Sequence, residues 1–299
     1  MLELADSPLQ TAAVPALKRV PHHFRIKGWT CDATDVQRTV WSMFDQADIQ
    51  EYMDKGYLLV PGVLDAGFVD LLRAALEEHR KRDFGVGRES VNPADSHFQG
   101  QYVQNLLLRD PAMSRLLQAE PIVDTIRCLL GPCVMLYGSS GLVSFPDATR
   151  TGTDWHADYL VTNTPAPPLE TKIPRVACMV YLDDLDEELG PTYVVPGSHR
   201  TQQLPHWKPE VEPVSVPLTP TAGSVLFFDA SLWHRGGTMK SKSRLRRALV
   251  FQFVAGGIRL MREAPPRPAQ GSHALELLER AEAAGDRGML ELLSQVWYG

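Results

Sequence analysis

Arg246-Arg247-Ala248-Leu249-Val250-Phe251-Gln252-Phe253 alternates in the way that decides the fold class. Successive side chains of a β-strand point to opposite faces. Leu249, Phe251 and Phe253 therefore share one bulky apolar face, a packing surface, and Arg246, Ala248, Val250 and Gln252 share the other. Small or polar side chains beyond an arginine leave room for a ligand. A guanidinium placed there can hold a carboxylate through two parallel charge-assisted hydrogen bonds, a geometry that lysine cannot copy. The alternative is a solvated basic turn shared with Arg244 and Arg247.

Working back along the chain, the same texture recurs as short β-type runs punctuated by Gly and Pro. They are Val134 to Tyr137, Gly141 to Phe145, Val176 to Leu182, Tyr193 to Val195, Ser224 to Asp229 and Arg247 to Val254. Short strands between turn signals predict a sandwich or barrel in place of βαβ units. Between two of them, Val161 to Pro174 carries four prolines and reads as a stiff loop, a candidate substrate lid.

Helical periodicity lies on either side. Gln46 to Lys55 is closed by Gly56 as its C′ residue, and Tyr57 to Val60 follows as a short strand. A second helix starts at the cap Asp65, with Phe68, Leu71, Leu72, Ala75, Leu76 and His79 on its stripe, so that His79 is a packed or capping residue. Helical character returns over Ser114 to Leu130, interrupted by Pro121, and again over Ser272 to Ala284 and Met289 to Val296, where it is expected to cover the sheet. Residues 1–40 show no period and read as an irregular arm, which leaves 41–299 as one domain with a β core over about 133–255 and C-terminal helices over 272–297.

Composition narrows the class of partner. The 299 residues are 44% hydrophobic and 22% charged, as in ordinary globular proteins, with a net charge of −6. No long Lys/Arg block is present, which argues against a nucleic-acid partner. Cys31, Cys128, Cys133 and Cys178 form no Cys-x-x-Cys pair, as expected of buried thiols in a reducing compartment. No secretory pattern and no spanning apolar run are visible, so a cytoplasmic protein acting on a small molecule, with no membrane partner, is expected.

Chemistry enters with Thr153-Asp154-Trp155-His156-Ala157-Asp158-Tyr159. If this runs as a strand, His156 and Asp158 point to one side and Ala157 to the other. Such a pair is commonplace until a third ligand joins it. Ser231-Leu232-Trp233-His234-Arg235-Gly236-Gly237 supplies His234, 76 residues beyond Asp158 and following Gly223 to Asp229, which reads as a buried strand entering a turn. Two imidazoles and one carboxylate, with three positions left open, suit non-haem Fe(II). His199, in Pro196-Gly197-Ser198-His199, is read as shaping a turn, and His22, His23, His206 and His273 as surface residues.

With these pieces in hand, the chain resembles the phytanoyl-CoA dioxygenase-like branch of the Fe(II)/2-oxoglutarate-dependent oxygenases. The matching motifs are Lys55-Gly56-Tyr57-Leu58-Leu59-Val60-Pro61-Gly62-Val63-Leu64, His156-x-Asp158, Gly190-Pro191-Thr192, Val195-Pro196-Gly197-Ser198-His199, His234 and Arg246, in the family's order over roughly residues 45–255. The resemblance implies a mainly β fold with α, a double-stranded β-helix (jelly-roll, cupin-like) core flanked by helices. It implies Fe(II) on His156, Asp158 and His234, with the far carboxylate of 2-oxoglutarate on Arg246 and O₂ as the third reactant. The implied reaction is oxidation, by default hydroxylation, of an unactivated C–H with release of succinate and CO₂. Halogenating relatives carry a small apolar residue where this chain has Asp158.

Two departures bear on the cosubstrate. Many relatives have Ser two positions after the distal histidine, where this chain has Gly236, and many have Gln before the His-x-Asp, where it reads Gly138-Ser139-Ser140-Gly141. Ser140 is the side chain expected to serve the cosubstrate there. Trp155, Tyr159 and Gln252, with Asn92 to Tyr102, are expected to line a mixed aromatic and polar pocket for a small secondary metabolite or amino-acid-like compound. Two other readings stay open. One is a binding module with a vestigial metal site, which would have lost a ligand or the arginine; the other is a cupin-type metalloenzyme independent of 2-oxoglutarate, which would carry further histidines near His156.

Overall fold

The computed structural model describes residues 46–85, 100–146, 152–158, 174–201, 212–256 and 268–293. The expected arm over 1–40 and the proline-rich loop up to residue 173 lie outside the described residues.

The chain enters through α1 (Gln46–Lys55) and turns at Gly56, whose N–H donates to Tyr52 O at 2.7 Å. Gly56 has φ +83°, and a Cβ on it would collide with the His199 ring, so this turn needs glycine twice over. Strand β1 (Tyr57–Val60) follows, then α2 (Ala66–Phe84), where Asp65 Oδ1 accepts from Phe68 N at 2.9 Å as the N-cap. Its buried line runs through Val69, Leu72, Leu76 and His79, while Leu71, expected on the stripe, is 42% exposed. His79 Nε2 lies 3.1 Å from Asp110 Oδ2, and Asp110 caps α3 (Pro111–Ser114), so His79 is a packed histidine as expected. After a 3-10 turn, α4 (Glu120–Leu130) begins with Pro121 in its first turn. That proline starts the helix and does not interrupt one, since the first turn needs no backbone N–H there.

Strands β2 (Gly100–Gln104), β3 (Val134–Ser144), β4 (Arg175–Tyr181), β7 (Val225–Asp229) and β9 (Arg246–Ala255) join β1 in a six-stranded antiparallel sheet of order β1-β7-β4-β9-β3-β2. Two of the expected runs, Val134 to Tyr137 and Gly141 to Phe145, are one strand. An irregularity between Leu136 and Gly138 absorbs the extra residue, and pairing with β9 continues through Ser139 and Ser140. The sheet is also wider than the expected core of about 133–255, because β1 and β2 form its two edges. A second antiparallel sheet has the order β6 (Val216–Leu218), β5 (Thr192–Val194), β8 (His234–Gly236), and a bridge from His156 to His234 extends it.

The large sheet has two distinct faces. Val134, Leu136, Cys178, Val180, Val225, Phe227, Leu249, Phe251 and Phe253 pack against the helices in one core. Each such buried side chain contributes about 1.5–3 kcal/mol relative to exposure. From the other face, Tyr57, Ala177, Tyr181, Leu226 and Phe228 meet Val194, Leu218 and Leu232 of the smaller sheet region in a second core. Helices α5 (His273–Ala284) and α6 (Arg287–Leu292) add Ala274, Leu277, Ala281, Met289 and Leu292 to the first core, which is the covering role expected of them. His273, the first residue of α5, is not on the surface as expected: its side chain is 9% exposed and its Nε2 lies 3.1 Å from Oγ of Ser114 at the end of α3. Among the described residues no helix is long and apolar enough to cross a membrane.

Candidate active site

The segment 152–158 is not a regular strand; the His156–His234 bridge ties it to β8 through N–H donation in both directions, at 3.0 and 2.9 Å. The ring Nδ1 of His156 donates to Asp154 O at 2.7 Å, and that of His234 to Leu232 O at 3.0 Å. Each backbone carbonyl fixes the tautomer, leaving both Nε2 lone pairs available for ligation. Asp158 Oδ1 lies 3.9 Å from His156 Nε2 and 3.6 Å from His234 Nε2, too long for hydrogen bonds. One donor atom from each of the three residues lies within 4.8 Å of the others, as donors arranged about a common ion would. Burial, and then the neighbouring His156, hold the His234 imidazole well below its ordinary range, keeping it neutral and able to ligate.

A cavity of about 250 Å³ opens on this cluster. It runs along the face of β9 that carries Arg246, Ala248, Val250 and Gln252, while Leu249, Phe251 and Phe253 lie in the helical core, as the alternation predicts. Arg246 stands at one end. Its Nη1 donates to the carbonyls of Leu189 at 3.0 Å, Gly190 at 2.7 Å and Gly237 at 2.7 Å, and its Nη2 to Ser144 Oγ at 3.3 Å. Burial pushes the guanidinium down to about 10, still charged at neutral pH. The donor set fits a divalent ion, and a cation in the wall of a cavity that Tyr102, Ser144, Thr153, Tyr181 and Thr192 also line fits a carboxylate ligand beside it.

The site-residue expectations fare differently. Ser140 and Gln252 line the cavity. Ser140, however, pairs with Val250, four residues along β3 from Ser144, or roughly 13 Å at the strand rise. The hydroxyl on Arg246 is that of Ser144, its register partner. Trp155 is not part of the cavity wall. Pointing away from His156 by strand-like alternation, it is buried with its Nε1 donating to Glu212 Oε2 at 3.0 Å and its ring under Arg235. Tyr159 lies outside the described residues. His199 is buried with Nε2 3.2 Å from Met53 O, in the turn-shaping place expected of it. Sequence reading missed Ser144, Thr153, Met179, Tyr181, Thr192 and Phe228. Ser144 reaches the site on β3, Met179 and Tyr181 on β4, Phe228 on β7, Thr192 on β5 and Thr153 in the 152–158 segment, and the register that brings them together is not written in any one of these stretches.

The model of the phytanoyl-CoA dioxygenase (PhyH) family matches residues 52–248, about two thirds of the chain and a span that contains His156, Asp158, His234 and Arg246. The chain belongs to the phytanoyl-CoA dioxygenase family. Among relatives, the ectoine dioxygenase of Bordetella parapertussis is 27% identical over 233 residues, covering 68% of this chain and 72% of that protein. Two solved structures share the fold. The non-haem alpha-ketoglutarate-dependent carbocyclase SnoK from nogalamycin biosynthesis has a TM-score of 0.57 at 23% identity, covering 72% of this chain and 85% of that one. HygX from Streptomyces hygroscopicus, solved with nickel, 2-oxoglutarate and hygromycin B bound, has a TM-score of 0.58 at 19% identity, covering 77% and 95%. The jelly-roll of this family is the architecture seen here, its two antiparallel sheets facing each other with helices on the outer side of the larger.

Proposed function

We propose that this protein is a non-haem Fe(II)/2-oxoglutarate-dependent oxygenase that hydroxylates an unactivated C–H bond of a small metabolite, in secondary metabolism, in the reducing cytoplasm. The observation that carries the reading is the convergence of two Nε2 atoms and one carboxylate oxygen at a cavity that the part-buried Arg246 also lines. His156, Asp158 and His234 would hold the metal, and Arg246 the far carboxylate of 2-oxoglutarate. Fe(II) and 2-oxoglutarate, when bound, supply the oxidative decarboxylation that turns O₂ into an oxidant strong enough for such a bond. The bound nickel and 2-oxoglutarate of HygX, and the chemistry named for the ectoine relative, support the assignment.

The chain's own residues set the rest. The carbonyls on Nδ1 of both histidines favour one ring orientation, with Nε2 free to take the metal. The three carbonyls on Nη1 of Arg246 do the same for the guanidinium. Leu142, Met179, Val250 and Phe228 give the cavity part of an apolar lining, and Gln252 offers an amide to read a polar group on the substrate. A three-ligand set of two histidines and one aspartate disfavours the 2-oxoglutarate-independent cupin reading, which called for more imidazoles, and retention of every ligand disfavours a vestigial site.

Anaerobic addition of Fe(II) and then 2-oxoglutarate tests this directly. A weak visible metal-to-ligand absorption band is expected, needing both additions. No band, or one that survives Asp158→Ala combined with Arg246→Ala, sinks the reading.

A further inference from the structure

The outer face of the metal-bearing strands carries a second constellation. In the register that sets Val194 opposite His234 and Tyr193 opposite Arg235, and with His156 bridged to His234, Trp155 falls opposite Arg235. The two faces therefore hold two rows across three adjacent segments. Val194, His234 and His156 form the inner row; Tyr193, Arg235 and Trp155 form the outer one. The Arg235 guanidinium carbon lies 4.9 Å from the centroid of the Trp155 ring and 5.0 Å from that of Tyr193. Glu212 then closes the row, accepting from Arg235 Nη1 at 3.2 Å and from Trp155 Nε1 at 3.0 Å.

We propose that this Tyr193–Arg235–Trp155–Glu212 ladder is a positioning device for the metal ligands, setting the spacing of His156 and His234 from behind. The proposal rests on the reading of His156, Asp158 and His234 as metal ligands. Its physical basis is that 152–158 carries two of those ligands and yet is no regular strand. Its backbone ties to β8 are those of Thr153 with Gly236, at 2.9 Å, and of His156 with His234. Trp155 stands between these ties and immediately before His156. Stacking of a guanidinium on two aromatic faces, with a carboxylate bonded to both the arginine and the indole, fixes the side of the segment on which Trp155 sits and so helps to hold it in register. Ligand spacing, in turn, governs metal affinity through the residues that orient the ligands.

The sign of one substitution separates positioning from plain electrostatics. Arg235 is a cation next in sequence to a ligand of a divalent ion, so removing its charge favours the metal if charge alone counts. The ladder requires the reverse. Ni(II) titrations of the full chain by calorimetry are expected to show Arg235→Met binding roughly 10–100-fold more weakly than wild type. The d–d spectrum of the Co(II)-loaded variant should change with it, and Tyr193→Phe, which keeps the ring, should match wild type in both. Arg235→Met binding as tightly as wild type, or more tightly, overturns the ladder. Should Arg235→Met fail to fold, Trp155→Phe keeps a smaller stacked ring and loses the bond to Glu212 together with part of the ring area; several-fold weaker Ni(II) binding is then expected, and unchanged binding overturns the proposal. A wild-type chain that binds no Ni(II), or whose binding ignores Asp158→Ala, instead sinks the metal assignment beneath it.

Discussion

Gly190 and Gly237 cross so closely that a Cβ on Gly190 would stand 2.5 Å from the carbonyl oxygen of Gly237, and the carbonyls of both accept from the same nitrogen, Nη1 of Arg246. Gly190 also has φ +75°, where a side chain is strained whatever the space. The Gly190-Pro191-Thr192 motif thus builds a cup of backbone oxygens that aims the guanidinium. Gly190→Ala is expected to destabilise the fold by about 1–3 kcal/mol and to weaken 2-oxoglutarate binding while Ni(II) binding stays near wild type. Denaturant melts and paired calorimetric titrations read the two effects separately.

Arg246→Lys keeps a positive charge but cannot fill that cup and present a planar fork at the same time. The KM for 2-oxoglutarate is expected to rise by about tenfold or more, the equivalent of one charge-assisted hydrogen bond of about 1.5–3 kcal/mol. Steady-state turnover of 2-oxoglutarate to succinate at saturating Fe(II) measures it, and an unchanged KM removes Arg246 from the cosubstrate site.

Asp158→Ala leaves two neighbouring imidazoles with no carboxylate between them. Ni(II) affinity should fall by roughly 100-fold, the upper end of what even indirect ligand disruption costs. Retained affinity in a calorimetric titration would show that the ion sits elsewhere.

The two faces of β9 make opposite predictions for adjacent residues. Phe251 is 1% exposed in the helical core, and Phe251→Ala should cost about 3–5 kcal/mol in a urea melt. Val250 lines the cavity, so Val250→Ala should leave the melt within about 1.5 kcal/mol while altering substrate KM or product distribution. Equal losses of stability at both positions would contradict the face assignment.

Burial, and then Arg280, lower the His273 imidazole below its ordinary range, against the opposing pull of Glu276 and Asp110. A folded-state value below the unfolded one means that the unfolded chain binds the extra proton first. The contribution is therefore full above the ordinary imidazole range, about pH 6.5, and is lost as pH falls through it. His273→Gln should flatten the pH dependence of the urea midpoint between about pH 7.5 and 5; an unchanged slope would place the acid sensitivity in other groups.

Much of this protein could be read from the chain because its signals are local. Period-2 alternation sorted Arg246, Ala248, Val250 and Gln252 from Leu249, Phe251 and Phe253, and the cap Asp65 and Gly56 bounded α2 and α1. Residue chemistry singled out His156, Asp158 and His234 as a donor set before any coordinate placed them within reach of one another. Register and side-chain direction are different in kind, because they depend on which strand lies beside which. That is why Ser144, not Ser140, meets Arg246, and why Gly138 to Ser140 continues a strand where a break was expected. It is also why Trp155 faces Arg235 behind the site and not the substrate cavity. The sequence by itself determined the donor atoms, the strand faces and the family; the tertiary structure alone decided which hydroxyls, carbonyls and aromatic rings surround them, since those neighbours come from segments far apart in the chain.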